Sequence, residues 1–70
     1  MITLTLDKAL QERGITRYQL AKMTGIKYQT IDNYYKNRVV RYDSYILSEI
    51  CRVLGCSVDD ILTYTEDAAE

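Results

Sequence analysis

Apolar residues recur along most of this chain at helical spacing, and at strand spacing near its start. The clearest run is Leu47, Ile50, Cys51 and Leu54, at i, i+3, i+4 and i+7. It predicts an amphipathic helix from Ser44 to Leu54, behind an Asp43 cap and ahead of Gly55. Upstream, Leu6, Ala9 and Leu10 share a face and predict a helix from about Leu6 to Arg13, ended by Gly14. Thr16-Arg17-Tyr18-Gln19 has the spacing of a capping box: the hydroxyl takes a free backbone N–H and the glutamine reaches back. A second helix follows it, with Leu20 and Met23 as its apolar face and Gly25 after its end. A third spans about Tyr28 to Lys36, with Ile31 and Tyr34 inward; Lys27, just before it, has no side-chain acceptor to act as a cap. Ser57 and Asp60 form a weaker capping pair for a fifth helix, Val58 to about Tyr64, with Val58, Ile61 and Leu62 toward the core.

Two stretches depart from helical spacing. Ile2, Leu4 and Leu6 alternate with Thr3 and Thr5, and Val39-Val40-Arg41-Tyr42 is β-branched between two helices. The expected fold is therefore all-α: a compact five-helix bundle around a central helix-turn-helix. It leaves room for a short β-ribbon pairing residues 2–5 with 39–42, within one chain or across a dimer. A lone ribbon is marginal in water, so helices would have to pack behind it. Residues 1–64 form the expected domain and residues 65–70 an acidic, flexible tail.

Composition narrows the function classes. Seventy residues make one domain near the lower size limit for independent folding. An apolar share of 47%, no proline and three glycines favour long helices over disorder or a turn-rich β fold. The apolar runs are far short of the ~20 residues that span a bilayer. No basic region precedes the apolar residues at the N-terminus, so neither a signal peptide nor a membrane partner is expected and the default location is cytoplasmic. Cys51 and Cys56 are five apart and there is no histidine, which gives no metal site; reduced, buried thiols are expected. Ser44 and Ser48 have no histidine to activate them. The adjacent acids Asp59-Asp60 and Glu66-Asp67 suit a helix start and a solvated tail better than a metal. No catalytic, cofactor or metal constellation can be assembled, and an enzyme is not expected.

The net charge of −1 conceals a strong asymmetry. Residues 13–41 hold Arg13, Arg17, Lys22, Lys27, Lys36, Arg38 and Arg41 against Asp32 alone, net +6. Residues 42–70 hold Arg52 against Asp43, Glu49, Asp59, Asp60, Glu66, Asp67 and Glu70, net −6. A polyanion would be met by the first segment and repelled by the second. The basic segment also contains two short helices meeting at a tight turn. Ala21 is small where the helices approach, and Gly25 gives the turn a permissive backbone. Leu20, Ile26, Ile31 and Tyr34 can fix the angle between them, so that the second helix protrudes rigidly.

On Leu20-Ala21, Gly25-Ile26, Thr30-Ile31, Leu47, Ile50-Cys51, Leu54-Gly55 and Asp60-Ile61-Leu62, the chain resembles the Cro and phage-repressor-type helix-turn-helix transcriptional regulators, also called the xenobiotic-response-element family. The resemblance runs from about Leu6 to Leu62. The block from Ile50 to Cys56, followed by Asp60-Ile61-Leu62, looks like a small single-domain bacterial subgroup. The resemblance implies base contacts by Lys27, Tyr28, Gln29, Thr30 and Asn33 at the start of the recognition helix. It implies phosphate contacts by Thr16 and Arg17 on the preceding helix, and by Lys36, Asn37, Arg38 and Arg41 after the recognition helix. The chemistry is suitable: glutamine and asparagine can each pair with adenine through two hydrogen bonds, and helix N-termini add free N–H groups toward phosphate.

The chain also departs from the family pattern. Arg17 stands where glutamine is usual, and Lys27 where a Ser or Thr cap is usual. Tyr34-Tyr35-Lys36-Asn37 replaces the common Ile-Glu-Asn-Gly, so Asn37 must supply any left-handed turn. Of the tyrosines, Tyr34 and Tyr45 are assigned to packing, and Tyr18, Tyr28, Tyr35 and Tyr42 to the surface. The expected function is sequence-specific binding of double-stranded DNA by a homodimer acting as a transcriptional repressor. The alternative is a protein–protein module, such as an antitoxin or anti-regulator, that uses the acidic half to bind a protein partner.

Overall fold

Local chemistry sets the helix boundaries. The structure, a computed structural model, describes residues 1–66. In chain order it contains β1 (Ile2–Leu4), α1 (Leu6–Arg13), α2 (Arg17–Thr24), α3 (Tyr28–Tyr35), α4 (Ser44–Leu54), a single 3-10 turn (Val58–Asp60) and β2 (Leu62–Tyr64). At the start of α2 the capping box is complete: the Gln19 N–H donates to Thr16 Oγ1 at 3.1 Å and the Thr16 N–H donates to Gln19 Oε1 at 2.9 Å. Asp43 caps α4 by accepting the Tyr45 N–H at 2.8 Å. At the base of α2, Gly25 takes the left-handed conformation, φ 76°, that lets the chain turn sharply into α3.

Four helices form among the described residues, not five. The expected helix from Val58 to Tyr64 is replaced by the 3-10 turn and β2. Its capping contact is present in part, since the Ser57 N–H donates to the Asp60 carboxylate at 3.0 Å. Beyond Asp60, however, the strand-favouring Thr63 and Tyr64 pair with β1 instead. A seven-residue helix would close only a few internal hydrogen bonds, and the other end of the chain offers a ladder. Ile61 is fully buried and Leu62 partly so, while Val58, expected inward, is exposed.

The ribbon forms, but with a different partner. β1 pairs antiparallel with β2, in the register Ile2↔Tyr64, Thr3↔Thr63 and Leu4↔Leu62, rather than with residues 39–42. The Thr5 N–H donates to Ile61 C=O, and the Thr65 N–H to Met1 C=O, each at 2.8 Å. The alternate residues Ile2 and Leu4 therefore turn their backbone groups to the opposite edge. There the 36–43 loop meets them with side chains. The Asn37 amide accepts the Leu4 N–H at 2.6 Å and donates to Leu4 C=O at 2.9 Å, as a neighbouring strand's peptide would. The Tyr42 hydroxyl donates to Ile2 C=O at 3.4 Å. Of the acidic tail expected over 65–70, residues 67–70 lie outside the described residues; Thr65 is joined to Met1.

The core draws on Leu4 of β1, on all four helices and on Ile61 just before β2. Leu6 and Leu10 of α1, Leu20 of α2, Ile31 of α3, Ile50 of α4 and Ile61 are its fully buried large side chains. The α4 stripe is read correctly by its periodicity: Ile50 and Leu54 are buried, and Leu47 and Cys51 partly so. Tyr45 is not a packing residue but lies on the far side of that helix, 63% exposed. Tyr42 takes that role instead, edge-on to buried Tyr34 with ring centroids 6.3 Å apart. On α2 the buried face is Leu20, Ala21 and Thr24, and Met23 is exposed. Cys51 and Cys56 are unpaired and half-buried, and burial pushes the Cys51 thiol up. No helix among the described residues is long and apolar enough to cross a membrane.

Candidate nucleic-acid interface

Among the described residues, α2 and α3 share the most extensive contact between helices, and Ala21 of α2 is buried. Their joint is held by a residue that spacing alone did not single out. Thr24 is 8% exposed; its hydroxyl donates to Leu20 C=O at 2.9 Å and accepts the Ile26 N–H at 3.2 Å. One side chain thus ties the end of α2 to the turn that follows it. The far end of α3 closes as a Schellman motif. The Arg38 N–H donates to Asn33 C=O at 2.9 Å, the Asn37 N–H to Tyr34 C=O at 3.3 Å, and Asn37 is left-handed at φ 59°. Asn37 supplies the left-handed turn that the missing glycine demanded, and its amide fixes that turn to β1. Both ends of α3 are therefore anchored.

Gln29, Asn33 and Lys36 lie at i, i+4 and i+7 on the outward face of α3, opposite Ile31 and Tyr34. Gln29 is exposed and Asn33 half-exposed; Gln29 Nε2 donates to Asn33 Oδ1 at 3.3 Å. Gln29 Oε1 and the Asn33 amide N–H groups stay available to a base edge. Tyr28 is exposed at the first helical position and Thr30 is half-buried. Lys27 makes no cap, as expected, and its side chain is exposed. The five residues expected to read bases are thus gathered at the first turns of one anchored helix.

The cations of residues 13–41 sort into two groups. Lys27 before α3, and Arg38 and Arg41 after it, are exposed, and no ion pair or side-chain hydrogen bond holds them among the described residues. The others have partners. The Arg13 guanidinium donates to Leu54 C=O at 3.2 Å and Ala9 C=O at 3.1 Å, placing a cation at the ends of α1 and α4. Lys22 lies 4.9 Å over the Tyr18 ring. Arg17 Nη1 is 2.6 Å from one oxygen of Asp32, and Lys36 Nζ is 3.3 Å from the other. Arg17 thus bridges to α3 through a carboxylate rather than an amide. Its guanidinium also lies 4.5 Å from the centre of the Tyr35 ring, which makes half-buried Tyr35 a packing partner rather than a free surface tyrosine. Burial pushes the Asp32 carboxyl up, but hydrogen bonds from Lys36 and Arg17, and their charges, outweigh it and hold the group below its ordinary value. Of the residues expected at phosphate, Thr16 is engaged in its capping box and Asn37 in the β1 clamp.

Comparison with known proteins agrees with this geometry. The family model of the Cro/C1-type helix-turn-helix DNA-binding domain matches residues 5–67. Among solved structures, the fold is similar to that of a candidate DNA-binding protein from Bacteroides fragilis. The TM-score is 0.79 at 19% sequence identity, over 90% of this chain and 100% of that one. No curated protein sequence matches.

Proposed function

Since the chain belongs to the Cro/C1-type helix-turn-helix DNA-binding family, we propose that it is a sequence-specific transcriptional repressor that binds a near-palindromic duplex site as a homodimer, with α3 in the major groove. The observation that carries this reading is the outward face of α3. Hydrogen-bonded Gln29 and Asn33 stand there between Lys27 at one end of the helix and Arg38 and Arg41 beyond the other. Phosphates on the two sides of a groove take the flanking cations, and base edges meet the amides. The Gln29 carboxamide can accept from adenine N6 and donate to N7 with its other N–H still directed at Asn33. Tyr28 stacks on a thymine methyl or donates to phosphate. Arg17 and Lys36 border the same groove, with part of their charge balanced by Asp32. One such domain covers about half a site, so two-fold symmetry doubles the contacts. Repression then needs occupancy alone, because a bound dimer excludes other proteins from the same DNA.

Selection of bound duplexes from random DNA, followed by fluorescence anisotropy, tests this reading. Gln29→Ala is expected to relax preference at one base position, at a cost of about 1–3 kcal/mol. Arg38→Ala is expected to weaken all duplexes alike and to lower the slope of log K against log salt by about 0.9. Binding that selects no sequence, or that salt leaves unchanged, refutes the reading.

A further inference from the structure

Asp32 is the one acidic residue between positions 13 and 41, and it lies inside the basic region. It is 7% exposed on α3, and two cations close on it from different directions. Arg17, from the start of α2, reaches one carboxylate oxygen at 2.6 Å; Lys36, one turn along α3, reaches the other at 3.3 Å. Both cations border the proposed DNA-binding face. A carboxylate presents a guanidinium and an ammonium with a pair of anionic oxygens much as a phosphate does. The Arg17 guanidinium also lies 4.5 Å from the centre of the Tyr35 ring.

Resting on the DNA-binding reading above, we propose that Asp32 is an internal competitor for DNA phosphate, cancelling one of the two charges that Arg17 and Lys36 would otherwise offer. The cluster then presents one net positive charge to the backbone instead of two. Backbone attraction does not depend on sequence, so Asp32 lowers affinity for every duplex by a similar factor. Discrimination by Gln29 and Asn33 is retained, while less protein is held on non-specific DNA. The opposite role is a positioning one, in which Asp32 aims Arg17 at phosphate, and it predicts changes of the opposite sign.

The test is the salt dependence of binding to a selected duplex and to a random one, by fluorescence anisotropy with the full chain. Asp32→Asn keeps the shape and removes the charge. Its slope of log K against log salt is expected to steepen by about 0.9 on both duplexes. Between 50 and 200 mM salt that is an additional ~3-fold loss of affinity. A slope unchanged or shallower than wild type overturns the proposal. A second background covers the case in which Asp32→Asn alone does not fold. Arg17→Gln is expected to lose about 0.9 of slope, and the charge-balanced double variant Arg17→Gln/Asp32→Asn to recover the wild-type value. Equal slopes for these two variants also overturn the proposal. If the wild type itself shows no salt-sensitive binding to any duplex, the DNA-binding reading fails first and this inference with it. If the wild type binds while the Asp32 variants keep its slope, only this inference fails.

Discussion

Replacing Asn37 by alanine and by glycine separates two contributions that this residue combines. The Asn37 amide makes two hydrogen bonds to Leu4, at 2.6 and 2.9 Å, and its backbone is left-handed at φ 59°. Each hydrogen bond contributes about 0.5–1.5 kcal/mol net, so losing the pair costs about 1–3 kcal/mol in either variant. Alanine also meets the left-handed penalty of about 1–2 kcal/mol, which glycine escapes. Glycine instead gains freedom in the unfolded chain, which costs about 0.4–1 kcal/mol. Asn37→Ala is therefore expected to destabilise by about 2–5 kcal/mol, and Asn37→Gly by roughly 1 kcal/mol less. For a domain of this length the whole stability is roughly 4–10 kcal/mol, so the alanine variant loses a large share of it. A melting temperature lower by about 4–8 °C per kcal/mol follows. Urea titrations read by circular dichroism and by tyrosine fluorescence measure both variants. Asn37→Ala within 0.5 kcal/mol of wild type (about the limit for an ordinary surface change) refutes the clamp. Equal losses for alanine and glycine refute the backbone contribution.

The α2 cap gives a second measurement. Thr16→Ala removes the acceptor for the Gln19 N–H and is expected to lower stability by about 1 kcal/mol, read from the urea midpoint at constant slope. Acid gives a third. Lys36 and Arg17 hold Asp32 below its ordinary value against the upward push of burial, and the Arg52 hydrogen bond does the same for Glu49. The folded chain therefore releases these protons more readily than the unfolded chain does. Their stabilisation is complete above the ordinary carboxylate range, near pH 4, and is lost as pH falls through it toward the lowered folded values. An Asp32→Asn/Glu49→Gln variant is expected to show a flatter fall in urea midpoint between pH 6 and 3 than wild type. Parallel curves contradict that assignment.

Much of the fold is legible in the residues because it is decided within one or two turns of chain. The Thr16–Gln19 box, the Asp43 cap and the Leu47–Leu54 stripe depend on neighbours three to seven positions away, and their helices form where expected. The left-handed Asn37 was legible for the same reason: a helix end without glycine needs a residue that tolerates positive φ. Placement of the expected base-reading residues on one accessible helix follows from the helix-turn-helix spacing. The misplaced residues Tyr45 and Met23 were legible too: each lies away from its helix's buried face and could have been placed by angle rather than by residue type.

The remainder was settled between distant parts of the chain. Val58 to Tyr64 has apolar spacing that serves a short helix or a turn and strand. The presence of β1, some sixty residues away, supplies the hydrogen-bond partners that choose between them. Val39 to Tyr42 has strand-forming residues but reaches β1 only through the Tyr42 hydroxyl and neighbouring Asn37, because the ladder edge toward it is already filled by side chains. Arg17 and Asp32 are fifteen positions apart, and no periodicity links them. Their ion pair exists because α2 packs against α3, which brings a cation expected at phosphate against a buried carboxylate. Sequence alone determined the four helices that form and the cations the chain carries, but not the fate of Val58 to Tyr64. Tertiary packing decided how those cations are shared between the protein's own groups and solvent, because charge pairing depends on distance in space, not along the chain.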